Sequence, residues 1–217
     1  MTLGDMHVVG RPPAKLVKAL AVIANGLHPA FDRETWGIAP GFSKQSCVLC
    51  SLAVRDFLWK IGFKDAQAAP VYFAVRAFRD DELVHSLGVG DHNAIGMTAP
   101  GPDTDARWNG HMAVKVAGFL IDPTLYQVHR KQWDGIPGMM ALELETSDQL
   151  DRPYGLRPAA GAILTMVDGT RVEMMWLDQP LNRRWRESSG GDTERSRRRG
   201  VIAGLVKAFG KWQDVAA

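Results

Sequence analysis

The chain has 217 residues and a mass of 23.9 kDa, with 46% apolar and 23% charged residues, enough for one domain with a sizeable core and too few for two ordinary ones. Twenty-six Lys and Arg against twenty-four Asp and Glu, with seven Trp and eight Phe, exclude a disordered chain, an acidic solvating polymer and a uniformly basic coat for nucleic acid. Two cysteines exclude a disulfide framework, no apolar run reaches the roughly 18 residues of a membrane helix, and the N-terminal stretch MTLGDMHVVGRPPAKLVKAL lacks a secretory pattern, so a soluble, cytoplasmic protein is expected.

The first predicted element is a helix after the turn signal Arg-Pro-Pro, because Leu16, Leu20, Ile23 and Leu27 repeat at helical spacing. An irregular stretch follows. A second, strongly apolar helix is predicted from about Ser46 to Ile61, with Leu49, Ala53, Phe57 and Leu58 on one face and Gly62 as its stop. From Pro70 the period changes. VYFAVRAF reads as a strand and LVHSLGVG as another, followed by the long loop GMTAPGPDTDARWNG. HMAVKVAGFLID alternates, turns at Ala117-Gly118 and resumes, and AILTMVDGTRVEMMWL carries Asp-Gly between two apolar runs, a hairpin signal. Helices first and then mostly antiparallel strands predict an α+β domain over residues 1–181.

The tail differs. Residues 182–217 hold nine Lys and Arg against four Asp and Glu, which is a net charge of +5. Within them, 182–200 has Ser-Ser-Gly-Gly and an Arg triplet and reads as a basic flexible linker. Its arginines, 183–199, suit a solvated linker, and contact with nucleic acid or an anionic membrane is the other reading. Residues 201–217 read as a short amphipathic helix, with Val201, Leu205, Phe209 and Trp212 in register. Such a helix docks on the body, recruits a partner or lies on an acidic surface.

Three residues carry the chemistry. Cys47 opens the apolar helix, where unpaired backbone N–H groups and the helix dipole favour a thiolate and offer donors to an oxyanion. Ser46 or Ser43 is the expected cap. His111 leads one strand of the Ala117-Gly118 hairpin, and Asp122 closes the other. Counting out from the turn brings them to the same end, where an acid can fix the tautomer of a base.

These residues resemble the transglutaminase-like branch of the papain-like cysteine enzymes. The matching positions are Cys47, Ser51 one turn on, Gly62-Phe63 after the helix, His111 with Ala113 and Val114, and Asp122-Pro123-Thr124. Arylamine N-acetyltransferases are similar at His111-Met112, but their Arg-Gly-Gly lead-in is missing here, as is the aromatic setting of the cysteine in eukaryotic transglutaminases. The resemblance implies a cysteine-bearing helix packed on an antiparallel sheet. It also implies a Cys47–His111–Asp122 triad acting on a peptide, isopeptide or amide bond through an acyl-thioester, with a protein or peptide substrate and no cofactor or metal. Gln45 and Trp108, close in sequence to Cys47 and His111, are candidate oxyanion or substrate contacts. The alternative is a transglutaminase-like binding module that recruits a partner through its C-terminal helix. Cys47 and Cys50 also form a Cys-Val-Leu-Cys pair, for which a redox dithiol or a zinc site with His85 and His92 is a third reading. Gly88-Val89-Gly90 lacks the remainder of a phosphate loop.

Overall fold

The computed structural model describes residues 1–34, 39–90, 110–133, 135–144, 158–180, 184–186 and 195–214. Among them are nine strands in one curled sheet and three α-helices, a mixed α+β fold. The chain does not open on a helix. Two short strands precede it, β1 (Thr2–Leu3) and β2 (Met6–Val9). Both are too short to show a two-residue period, and β2 is held by residues far along the chain: it runs parallel to β7 (Met139–Glu143), with Met6 opposite Met139.

Helix α1 (Ala14–Glu34) starts where the amides of Leu16 and Val17 find the Pro13 carbonyl. Leu16, Leu20, Ile23 and Leu27 are fully buried, as their spacing predicts. A short 3-10 turn, Phe42–Gln45, leads into α2 (Cys47–Lys60). The first eight residues of α2, Cys47 to Val54, are all buried. A helix without a polar face at its start belongs in the centre of a fold. It stops where Phe63 N–H returns to the Leu58 carbonyl and Gly62 N–H to Trp59. That closure needs a left-handed residue, and Gly62 has φ +102°.

The long strand β3 (Gln67–Arg79) organises the sheet. Its first half pairs with β5 (His111–Val116) and its second half with β4 (Glu82–Val89), while β9 (Arg171–Asp178) covers its other edge. Strand order is β1-β2-β7-β6-β5-β3-β9-β8, where β6 is Phe119–Asp122 and β8 is Pro158–Thr165. The β5–β6 turn has φ +48° at Ala117 and +78° at Gly118, a pair of left-handed residues matched to the strand twist. β8 and β9 pair antiparallel across the Asp168-Gly169 turn.

Alternation sorts side chains between two cores. Val114, Val116, Phe119 and Ile121 face the helices. Ala113, Leu120, Val71, Phe73, Val172, Met174 and Trp176 share the opposite face with Leu125, Val128 and Trp133. Each fully buried aliphatic side chain contributes roughly 1.5–3 kcal/mol.

Helix α3 runs from Arg195 to Asp214, so residues 195–200 belong to a helix and not to a linker. The reason is packing. Arg198 is fully buried with its guanidinium 3.6 Å from Asp56, a contact that a charge-rich composition does not reveal. Val201, Leu205 and Phe209 are buried in the core that α1 and α2 share. Phe209 meets Phe57 edge-to-face at 6.1 Å. No described helix is long and apolar enough to cross a membrane.

Candidate active site

Strand β5 positions the site. Its first residue, His111, lies at the sheet end met by the start of α2. Two links set that meeting. The Ser51 hydroxyl donates to the Met112 carbonyl at 2.8 Å, and both groups are buried. The Cys47 thiol donates to the carbonyl of Gly110, the residue before His111, at 3.8 Å. Cys47, Val48 and Leu52 pack on Met112 in a small apolar cluster.

The hairpin does the rest. β5 and β6 pair from Val116–Phe119 out to Val114–Ile121, and beyond that His111 and Asp122 turn to the same face. His111 Nε2 lies 2.6 Å from Asp122 Oδ2, with both side chains essentially buried. The other carboxylate oxygen accepts the Thr124 amide at 3.0 Å. Trp176, from β9, donates its indole N–H to Asp122 Oδ2 at 2.8 Å. The Phe73 ring is 5.6 Å from the imidazole and 4.6 Å from the Trp176 indole, closing the space between them.

Burial disfavours charge on both partners. For His111 the carboxylate of Asp122, by its charge and its hydrogen bond, outweighs that cost. The Cys47 thiol beside the ring adds to it, and the imidazole is raised to about 10. For Asp122 the charge and hydrogen bond of His111, with the Trp176 and Thr124 donors, hold the carboxyl below its ordinary value despite burial. Nε2 is committed to Asp122. Nδ1 is buried and makes no hydrogen bond within the described residues. The ring and the thiol are therefore adjacent without being joined by a hydrogen bond of good geometry.

The cap of α2 differs from expectation. Neither serine caps it: the Ser46 hydroxyl turns back to the Phe42 carbonyl, and the Ser43 hydroxyl pairs with His28. Because the first helical acceptor, Ser46 C=O, is taken by the Cys50 amide, the amides of Cys47, Val48 and Leu49 lie ahead of the helical ladder. They sit at the positive end of α2.

The remaining candidates divide. Gln45 is exposed at the end of the 3-10 turn. Trp108 and His92 lie outside the described residues, as does most of the loop around Trp108. His85 is exposed on β4, with its ring 6.1 Å from that of Trp133. Cys50 is a free, fully buried thiol that donates to the Ser43 carbonyl at 3.1 Å, and burial, with Cys47 nearby, pushes its pKa well up. Among the described residues no three His, Cys, Asp or Glu side chains gather as a metal site would require.

Two participants escaped the sequence reading. Trp176 follows the inward alternation Val172, Met174, Trp176, so its burial was legible, but its partner lies 54 residues away. His28 sits within α1 and is 3% exposed. Its ring reaches Ser43 Oγ at 2.8 Å and the Pro123 carbonyl at 3.0 Å. Comparison with protein-family models, curated proteins and solved structures returned no match to this chain.

Proposed function

We propose that this protein is a cysteine hydrolase or acyltransferase with a papain-like, transglutaminase-type core. In this reading it cleaves a peptide, isopeptide or amide bond through Cys47, His111 and Asp122. One observation carries the proposal: a buried imidazole, held by Asp122 at 2.6 Å, has the Cys47 thiol of a helix start close enough to act on its charge, and its second nitrogen meets no other hydrogen-bond partner among the described residues.

With its pKa raised to about 10, His111 is the imidazolium near neutral pH, so Cys47 reacts as the thiolate of an ion pair whose proton already sits on His111 Nδ1. Asp122 stabilises the imidazolium and holds the ring orientation. The thiolate attacks the carbonyl carbon, and charge collects on oxygen near the first-turn amides of α2. The tetrahedral species collapses, His111 returns its proton to the leaving amine, and a thioester remains on Cys47. Water then attacks the thioester, giving its proton to His111, and the acid and free thiolate are released. With an amine in place of water the product is a new amide. Hydrolysis is the first choice because water is always present. The alternative, a module recruiting a partner through its C-terminal helix, draws less support because Val201, Leu205 and Phe209 already pack into the body.

Iodoacetamide labelling of Cys47, read by peptide mass, tests the proposal. At pH 7 the intact protein should label at least tenfold faster than His111→Ala. Equal and slow labelling in both would mean an inert thiol and end the enzymatic reading.

A further inference from the structure

We propose that His28 is a positioning residue: its two ring hydrogen bonds clamp the turn that leads to Cys47 against the turn that follows Asp122. This rests on the triad reading and extends it to a residue that touches none of the reacting atoms.

The clamp follows from atoms. A carbonyl only accepts, so His28 Nε2 carries the proton that the Pro123 carbonyl receives at 3.0 Å. In the neutral ring Nδ1 is then an acceptor, and Ser43 Oγ–H donates to it at 2.8 Å. The Pro123 bond has one direction only, and the Ser43 bond can reverse only if the ring is charged. Burial, aided by the charge of Lys44, keeps the ring neutral by lowering its pKa to about 4, against the opposing pull of the Pro123 hydrogen bond and of Asp32 and Asp5.

The two partners are what distinguish this histidine from an ordinary satisfied core residue. Pro123 directly follows Asp122, and the Thr124 amide next to it binds the Asp122 carboxylate. Ser43 is the hub of the turn before Cys47: its carbonyl accepts the Ser46 amide and the Cys50 thiol. A shift of Ser43 therefore shifts the first turn of α2. His28 spans 15 residues to one segment and 95 to the other. It shares the space with Tyr126, whose ring meets its own edge-on at 5.2 Å. A misplacement of about 1 Å between reacting groups costs about a hundredfold in rate.

The test uses iodoacetamide labelling of Cys47 at pH 7 in the full chain. His28→Phe keeps the ring volume and loses both bonds, and it should label at least tenfold slower. His28→Gln, whose amide offers a donor and an acceptor at similar spacing, should stay within threefold of the intact protein. In a His111→Ala background, His28→Phe should add no more than twofold, because a clamp acts only through the pair it aligns. Full-rate labelling of folded His28→Phe, or an equal loss in both backgrounds, overturns the inference and leaves the triad standing. If His28→Phe does not fold, Ser43→Ala decides: a threefold or larger loss supports the clamp, and an unchanged rate overturns it. Labelling that ignores His111 in every background removes the triad reading itself.

Discussion

Trp176 and His111 share one oxygen of Asp122: the indole N–H lies 2.8 Å and the imidazole Nε2 2.6 Å from Oδ2. The carboxylate is thus fixed from β5 and from β9, two strands separated by β3 in the sheet. An acid held by two donors cannot swing away from the ring it orients. Replacing Trp176 by Phe removes one donor and part of the wall against Phe73. We expect a loss of roughly 1–3 kcal/mol of stability in urea unfolding, because a buried carboxylate loses a partner, and a threefold to tenfold drop in Cys47 labelling. Unchanged labelling would mean that the His111 and Thr124 hydrogen bonds hold the acid without the indole.

Asp122→Asn asks the complementary question. The carboxylate is what raises His111 to about 10 against the cost of burial. A raised histidine stabilises the fold fully below its unfolded value of 6.5, and the contribution is lost as the pH climbs through about 10. The melting-temperature gap between the intact protein and Asp122→Asn should therefore be widest near pH 6 and shrink towards pH 10. Thiol labelling at pH 7 should fall at least tenfold.

The acid side belongs to His28. Its folded pKa is lowered from 6.5 to about 4, so its contribution is complete above about 6.5 and is lost as the pH falls through about 4. The difference corresponds to roughly 3 kcal/mol. Urea unfolding at pH 7 and pH 4 should show the intact protein losing more stability than His28→Gln, which has no such group to protonate. Equal losses would mean that other groups set the acid limit.

Helix α3 offers a test away from the site. Phe209 is 5% exposed and meets Phe57 edge-on. Phe209→Ala should cost about 3–5 kcal/mol and expose α3 to limited proteolysis. A folded variant with no change in melting temperature would contradict the docked helix.

How much of this was legible in the sequence depends on distance along the chain. Leu16, Leu20, Ile23 and Leu27 announce α1 by spacing alone, and all four are buried. His111 and Asp122 meet because a two-residue turn lies between their strands, and counting from Ala117-Gly118 finds them. β2 was illegible because four residues carry no period and its partner lies more than a hundred residues away. The start of α3 was hidden because Arg198 reads as solvated charge until Asp56 is seen beside it. Ser43 looked like a cap since Ser is a capping type, but the His28 ring took its hydroxyl. Trp176 was readable as inward-facing yet silent about what it would meet.

The Ala117-Gly118 turn has a bearing on the order in which the parts assemble. His111 and Asp122 are 11 residues apart, whereas Trp176 closes over 54 and Cys47 reaches Gly110 over 63. Loop-closure entropy rises with span, and hairpins of this size form in about 1–10 μs. His111 and Asp122 can thus come together while the rest of the chain is still open. Cys47 arrives only when α2 docks, so a partly folded chain holds the His111–Asp122 pair with no thiol beside it.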